Sequence, residues 1–416
     1  MVICPSDRCT GCAACAAACA RDSIAMTADA WGELHPAIDI GRCAKCGICL
    51  QVCPQNSQQR FQSPLECFAS WNTNERNRAL CASGGVGTAI AEYVIQQKRG
   101  VVFGTVYDNK MMPIVTSIET IGEVDRLKGS KYVQSSVRSQ SYRRLKELLE
   151  QGRFVAFIGT PCQIAGVRGY LRHDYQNLLL VDLICHGVSP ASYLQEEVKK
   201  IKAKKRIKGI VDIRFRGNDG LSFNARKDCV NYCFSLWCEN SAGERKLIYS
   251  KPWDENIYFA GFLLGATLRE NCYSCSYARP ERISDITIGD FIGLGTASKF
   301  PENVRNVSSV MTNTERGSSF WADICRTNSS IRNVRREYSE RLKYKPSLVE
   351  PFKRHELNVP FRALVPKVGY CEASEKTIGR YIRHRKIKKV VKKLMPGYST
   401  AGRIMRKFFV LLKGER

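Results

Sequence analysis

Eight cysteines form two copies of one pattern near the start of the chain. Each copy reads C-x2-C-x2-C-x3-C, the spacing with which bacterial two-cluster ferredoxins hold 4Fe–4S clusters. In those proteins the fourth cysteine of each copy ligates the other cluster. We therefore predict two ligand sets, which are Cys9, Cys12, Cys15 and Cys53 for the first cluster, and Cys43, Cys46, Cys49 and Cys19 for the second.

Disulfides and zinc are the alternative interpretations of this pattern. Disulfides need an oxidising compartment, and we expect no secretory signal because cysteines and charges begin at Cys4. Zinc sites use one or two C-x2-C pairs rather than a repeated run of four cysteines. The total of 20 cysteines also favours a reducing cytoplasm, where thiols stay free. The pattern therefore favours iron–sulfur clusters.

Four further cysteines are candidates for a third site. Cys162 and Cys185 each follow a predicted parallel strand, and ligands bind at the carboxyl ends of such strands. Thr160-Pro161 is typical of a helix start, so we expect the helix dipole to stabilise a Cys162 thiolate. Cys272 and Cys275 add a C-x2-C pair. A third iron–sulfur cluster, zinc, a redox-active pair and unrelated core thiols all remain open.

A glycine-rich turn at 83–88 is a candidate phosphate site. Ser83, Gly84 and Gly85 precede a predicted helix, whose first backbone N–H groups can bind a phosphate. Lys131 could add a positive charge for the phosphate, although an ordinary lysine in a surface loop is the more common interpretation. His186 could donate to a ligand, although a lone histidine is more often structural.

Alternating strand and helix patterns place these residues in an α/β domain. Buried strands at 154–158 and 178–184, each followed by a helix, are typical of a parallel sheet. Alternation from 210 to 248 predicts antiparallel strands, so we expect a mixed sheet overall. The remaining predicted elements are a hairpin at 23–40, a linker at 55–68, helices at 89–97, 142–151, 253–268 and 317–325, a solvated basic stretch at 199–208, and strands at 101–107, 114–119, 283–288 and 304–312.

The chain has a net charge of +26, concentrated at its end. Residues 376–416 contain fourteen Lys or Arg and one acid, Glu415. We predict a basic helical region that contacts an anionic membrane surface, docks an acidic ferredoxin, or only packs on the body. We expect no nucleic-acid binding, because no recognised motif accompanies the charge. No apolar run approaches the length of a membrane span.

Six motifs in order resemble the beta-subunit family of coenzyme F420 hydrogenase/dehydrogenase, in its bacterial form with an N-terminal two-cluster ferredoxin domain. The resemblance covers roughly residues 1–330. One departure is Gly217-Asn218-Asp219-Gly220, where family members carry a more basic run. The motifs are Ser83-Gly84-Gly85, Gly129-Ser130-Lys131-Tyr132, Gly159-Thr160-Pro161-Cys162-Gln163, Ile184-Cys185-His186-Gly187, Cys272-Tyr273-Ser274-Cys275-Ser276-Tyr277-Ala278 and Ser284-Asp285-Ile286-Thr287-Ile288-Gly289-Asp290-Phe291.

The resemblance implies FAD as a cofactor beside the clusters, bound near Ser83–Thr88 and Lys131. It also favours a third 4Fe–4S cluster at Cys162, Cys185, Cys272 and Cys275. Three regions follow: an α+β ferredoxin-like domain with two 4Fe–4S clusters at 1–60, an α/β flavin-binding catalytic domain with a mixed sheet at 67–335, and a basic helical region at 336–416.

The function implied is a cytoplasmic iron–sulfur flavoprotein oxidoreductase, peripheral at the inner face of the membrane if the tail binds lipid. A one-electron donor such as ferredoxin would pass electrons through the clusters to FAD and a small organic substrate. Forms like this one are associated with exopolysaccharide or O-antigen synthesis. The alternatives are a non-catalytic electron-transfer subunit, a deazaflavin (coenzyme F420) dehydrogenase subunit, and an iron–sulfur regulatory protein.

Overall fold

The computed structural model describes residues 2–207, 209–216, 232–302, 304–344 and 347–394. The cysteine-rich unit comes first, and its two halves have the same backbone geometry. Left-handed conformations recur at Gly11 and Ala13 in the first half and at Lys45 and Gly47 in the second. The predicted hairpin is confirmed, because β1 pairs antiparallel with β2. The elements of this unit are α1 (Ala14–Ala17), β1 (Ile24–Ala28), β2 (Leu34–Ile38) and α2 (Ile48–Gln51).

An α/β unit follows, and its first half alternates helices with strands, as the sequence predicts. A 3-10 helix spans Ile121–Leu127. The other elements are β3 (Glu66–Asn72), α3 (Glu75–Ala79), α4 (Val86–Gln96), β4 (Val101–Tyr107), β5 (Pro113–Ile118), β6 (Ser136–Val137), α5 (Ser139–Glu150), β7 (Val155–Gly159), α6 (Pro161–Leu171), β8 (Leu178–Leu183) and α7 (Ala191–Lys205).

The second half adds a small antiparallel sheet, two more central strands and the C-terminal helices. Short 3-10 helices span Trp253–Glu255 and Glu270–Ser274, and a π-helix spans Glu375–Gly379. The other elements are β9 (Ile210–Arg216), β10 (Tyr232–Glu239), β11 (Arg245–Pro252), α8 (Ile257–Leu263), β12 (Ile286–Asp290), β13 (Ser308–Thr312), α9 (Glu315–Thr327), β14 (Ile331–Arg336), α10 (Tyr338–Leu342), α11 (Asn358–Ser374) and α12 (Arg380–Leu394).

A mixed sheet of nine strands organises the α/β unit, in the order β14-β3-β13-β12-β8-β7-β4-β5-β6. Its centre is parallel, because β12, β8, β7 and β4 pair in that sense. Antiparallel strands complete the sheet on both sides of this centre. The carboxyl ends of β7 and β8 therefore meet at one edge, which brings the segments that carry Cys162 and Cys185 together.

The small sheet has the order β11-β10-β9 and confirms the predicted antiparallel strands. Phe215, Phe234 and Leu236 on its apolar face are buried in a core shared with α7, α8 and α11. The departure predicted at Gly217–Gly220 lies outside the described residues.

Three predicted elements need correction. The helix expected at 253–268 is shorter, since α8 spans only Ile257–Leu263. Asn256 caps its start by accepting the Phe259 N–H at 2.9 Å. The basic stretch at 199–208 is not fully solvated, since it forms the last turns of α7 and Ile201 is buried. The linker ends early, because β3 begins at Glu66 and pairs with both β13 and β14.

The basic C-terminal region contains α10, α11 and α12, and within the described residues a non-helical stretch separates α10 from α11. Along α12, Lys389 pairs with Asp254 at 2.6 Å and Lys386 with Glu255 at 3.0 Å. Part of this helix therefore packs on the body, while its Ile387 is exposed. The second predicted amphipathic segment lies outside the described residues. Within the described ranges, no helix has the length and apolarity needed to cross a membrane.

Candidate functional site

Five thiols line one cavity in the N-terminal unit. Burial, together with smaller contributions from the neighbouring thiols of Cys9 and Cys162, raises the pKa of the Cys12 thiol to about 12. Buried thiols can ionise together only when cations balance their charge, which is what an iron–sulfur cluster provides. The cavity contains the predicted first ligand set and one thiol that the spacing did not indicate: Cys9, Cys12, Cys15, Cys53 and Cys4.

The second predicted ligand set is also close together. Burial raises the pKa of the Cys49 thiol, and Cys43 and Cys46 add to this effect. The Cys19 sulfur lies 3.1 Å from the Ser23 hydroxyl and packs in the same apolar core as Cys49. The assignment of each cysteine to a cluster stays a prediction.

The four inner cysteines also meet. Burial, together with smaller contributions from the thiols of Cys162 and Cys275, raises the pKa of Cys185 to about 12. Burial likewise raises the pKa of Cys272 well above its usual value, with Cys185, Cys275 and Cys162 adding to the shift. Four partly buried thiols that act on one another electrostatically are the donor set that a cluster needs.

Backbone packing explains how distant segments bring these thiols together. Gly187 has a φ of +113°, and a Cβ there would lie 3.3 Å from the Cys272 Cβ and 2.8 Å from Leu268. The Arg269 N–H donates to the Val188 carbonyl at 2.8 Å. The loop after β8 and the loop before Cys272 therefore run side by side.

The predicted start of α6 is confirmed, and its backbone N–H groups lower the pKa of Cys162 as expected, but burial outweighs them. Thr160 and Gln163 form a reciprocal capping box, with Pro161 in the first turn. Burial nevertheless raises the pKa of the Cys162 thiol more than its contact with the Thr160 hydroxyl, 3.2 Å away, lowers it. The helix start alone therefore does not make Cys162 a thiolate.

The cysteine-rich unit packs directly on α6. A Cβ at Gly166 would lie 3.0 Å from the Cys12 Cβ, and one at Gly169 would lie 2.3 Å from the Val52 carbonyl oxygen. The Tyr142 hydroxyl donates to the Cys12 carbonyl at 2.8 Å. The two glycines let the Cys12 loop approach the helix that begins beside Cys162.

Tyr277 lies between the first and third cysteine groups. Its ring is 3% exposed and packs in one apolar core with Cys12, Cys162 and Cys275. Gln55 donates to the Tyr277 hydroxyl at 3.3 Å. The two cysteine groups are thus joined by a continuous buried contact.

Arg269 is fully buried where the two units meet, and sequence reasoning missed it. Its guanidinium donates to the Cys9 carbonyl at 2.9 Å, the Leu34 carbonyl at 3.2 Å, and the side chains of Gln134 at 3.0 Å and Asn271 at 3.1 Å. All four acceptors are neutral oxygens. Its positive charge also lowers the pKa of Cys162, so an anionic cluster on either side would balance it.

The glycine-rich turn opens α4, as predicted, but packing explains one of its glycines. A Cβ at Gly84 would lie 2.4 Å from the Ser70 carbonyl oxygen, and the Gly84 N–H donates to the Ser308 hydroxyl at 3.0 Å. Gly85 has a φ of +83° and precedes the first helical residue, Val86. The start of α4 therefore remains the candidate phosphate site.

Lys131 lies near this turn, although its ammonium group is engaged. It donates to the carbonyls of Arg126, Leu127 and Lys128 at 2.9 to 3.0 Å. Burial lowers the pKa of Lys131 to about 8, while Asp212 and Cys81 act in the opposite direction. Lys131 can therefore act on a phosphate mainly as a nearby positive charge, and its cofactor role stays a prediction.

The charged edge of β9 is a second feature that sequence reasoning missed. Arg214 donates to the Leu80 carbonyl at 3.2 Å, just before the glycine-rich turn. Arg216 pairs with Asp290 at 2.6 Å, at the carboxyl end of β12. Alternation of charged and apolar residues at 212–216 was the available signal, since period-two charges share one face.

His186 has a structural role in the described residues. Burial lowers its pKa to about 4, and its Nε2 lies 3.1 Å from the Phe262 carbonyl oxygen. Its ring packs 3.9 Å from that of Phe352. The neutral imidazole therefore packs and bonds within the protein, as the more common interpretation expected.

Comparison with known proteins identifies two domains. Residues 8–57 match a 4Fe-4S dicluster domain. Residues 152–334 match the C-terminal part of the beta subunit of coenzyme F420 hydrogenase/dehydrogenase. No curated protein matches the chain.

Several solved structures are similar to this chain, and one of them illustrates the level of similarity. It is a chain of the xenon-derivatised F420-reducing NiFe hydrogenase complex from Methanosarcina barkeri, with 14% identity and a TM-score of 0.38. The similarity covers 80% of this chain and 96% of that one.

Proposed function

We propose that this chain, a member of the coenzyme F420 hydrogenase/dehydrogenase beta-subunit family with an N-terminal 4Fe–4S dicluster domain, is an iron–sulfur flavoprotein oxidoreductase. Electrons enter at the N-terminal clusters from a one-electron donor such as ferredoxin. They pass to a third cluster at Cys162, Cys185, Cys272 and Cys275, and then to FAD and an organic substrate. The observation that carries the proposal is the packing of Cys12, Cys162 and Cys275 around Tyr277 in one core.

The residues fit these groups chemically. Three sets of mutually close thiols supply ligands, and the first set contacts the third through α6 and Tyr277. The start of α4, with Arg214 and Lys131 near it, suits the phosphates of FAD. When bound, FAD exchanges single electrons with clusters and electron pairs with organic substrates. The protein's part is to hold these sites adjacent to one another.

An electron-transfer subunit that feeds a partner enzyme is the second candidate. One observation favours it, since Lys131 already donates to three backbone carbonyls. A role in exopolysaccharide or O-antigen synthesis, and a deazaflavin as substrate, stay predictions of the sequence resemblance alone.

Binding of FAD to the flavin-free, iron-loaded chain tests the proposal. Because the pKa of Lys131 is about 8, its charge is present below that pH and lost above it. We expect FAD affinity to fall about three- to tenfold as pH rises through this value. Lys131→Met should bind more weakly at neutral pH and lack this step, measured by fluorescence titration.

Lys98→Met is the matched control, since Lys98 is exposed beyond the other end of α4. It should bind FAD as the unchanged chain does. If the unchanged chain binds no FAD at any pH, the electron-transfer subunit becomes the better account.

A further inference from the structure

Arg216 is a buried arginine with unused hydrogen-bond donors. Its side chain is 3% exposed. One terminal nitrogen, Nη1, donates to Asp290 at 2.6 Å and to the Tyr132 hydroxyl at 3.4 Å. The other two nitrogens, Nε and Nη2, have no hydrogen-bond partner in the structure as described. Because buried donors are rarely left unpaired, we expect a bound ligand to supply an acceptor for Nε and Nη2.

The two unpaired nitrogens form a specific recognition element. Nε–H and Nη2–H lie parallel on one edge of the planar guanidinium, and this fork matches two oxygens of a carboxylate or phosphate. The guanidinium also stacks 4.9 Å over the Tyr232 ring, which fixes its plane. The free edge is therefore preorganised for an oxyanion rather than for a neutral group.

The local charge favours an anion despite the neighbouring carboxylate. Arg341, which is 1% exposed, donates to the Asp290 backbone carbonyl at 3.1 Å. Burial lowers the pKa of Arg341, and Asp290 opposes that shift, so the two groups are electrostatic neighbours. Arg216 thus pairs with the Asp290 carboxylate, while a second buried guanidinium, that of Arg341, contacts the backbone of the same residue.

The position of Arg216 relates this edge to the candidate flavin site. Arg214 and Arg216 lie two residues apart on β9 and therefore on the same side of the strand, roughly 7 Å apart. Arg214 bonds to Leu80 next to the glycine-rich turn. Arg216 lies further along β9, beside Asp290 at the carboxyl end of β12. A ligand that follows β9 from the turn would reach Arg216.

We propose that Arg216 binds an oxyanion, either a carboxylate or a phosphate, of a ligand that lies along β9. The placement of that ligand rests on the proposed function, whereas the oxyanion site itself rests on the unpaired edge of Arg216. The oxyanion belongs either to the phosphates of FAD or to an acidic organic substrate that meets the flavin.

Calorimetric titration of the full chain, purified anaerobically with its clusters, tests this site. The probes are FAD, riboflavin and inorganic phosphate, and the variants are Arg216→Gln and Arg216→Lys. Arg216→Lys retains the positive charge but loses the planar guanidinium, so it should bind the oxyanion more weakly than the unchanged chain does. It also tests the site if Arg216→Gln fails to fold. Arg332→Gln is the matched control, because Arg332 is an exposed strand arginine on β14.

Each result has a distinct meaning. If FAD supplies the oxyanion, Arg216→Gln lowers FAD affinity about tenfold or more and leaves riboflavin affinity unchanged. If the substrate supplies it, FAD affinity stays unchanged, and phosphate binding to the FAD-loaded chain is lost in Arg216→Gln. Unchanged affinities for all three probes in both variants would overturn the proposal.

Phosphate titration of the flavin-free chain separates this inference from the proposed function. A chain that binds no FAD but binds phosphate through Arg216 would contradict the proposed function and support the oxyanion site. A chain that binds FAD without any dependence on Arg216, and binds no phosphate, would support the proposed function and contradict the oxyanion site.

Discussion

Cys275→Ser is expected to lower the iron content of the anaerobically purified chain from about twelve to about eight atoms. Cys275 is one of four partly buried thiols that act on one another electrostatically, and the other three cannot complete a four-thiolate set without it. The N-terminal ligand sets lie on separate segments and should keep their clusters. Electrons supplied to those clusters should then fail to reach bound flavin, as followed by anaerobic stopped-flow absorbance.

Cys325→Ser is the matched control for this loss. Cys325 is a partly buried thiol on α9, outside the three cysteine groups. Its replacement should leave iron content and flavin reduction unchanged. Equal iron in the Cys275→Ser variant and the unchanged chain would contradict a third cluster at this position.

Arg269→Met is expected to destabilise the junction between the two units by about 3–5 kcal/mol. The change removes four hydrogen bonds and leaves the partly buried carbonyls of Cys9 and Leu34 without this donor. The N-terminal unit should then separate from α6 more often. Hydrogen exchange of amides in residues 8–57 should speed up, and magnetic coupling between the first and third clusters should weaken.

Arg326→Met provides the comparison, because the Arg326 side chain is 77% exposed and pairs only with a neighbour on its own helix, Asp323. It should change neither the exchange rates nor the coupling. Exchange in Arg269→Met that matches the unchanged chain would show that other contacts hold the two units together.

Local patterns in the sequence predicted the elements whose chemistry is also local. The repeated cysteine spacing indicated a two-cluster unit, and the dicluster match confirms that type of domain. Short apolar runs predicted the central strands, because strands buried on both faces carry apolar residues at nearly every position. Thr160-Pro161 predicted the start of α6, since capping depends on a few consecutive residues.

Residues that act through tertiary contacts were not predictable in the same way. The residues next to Arg269 and Arg216 in the sequence do not indicate that these arginines are buried. Their burial results from the packing of distant segments. Cys4 follows no cluster spacing, yet it lines the same cavity as Cys9 and Cys53. At Cys162, burial outweighs the effect of the helix start on the pKa of the thiol, and the degree of burial is set by the whole fold.

The most direct test of the central claim is the amount of iron, acid-labile sulfide and flavin per chain after anaerobic purification. The account predicts about twelve irons, a matching amount of sulfide and one FAD, which corresponds to three 4Fe–4S clusters that feed a flavin. About eight irons without flavin would contradict it, and would leave a two-cluster electron carrier in which the inner cysteines are ordinary thiols.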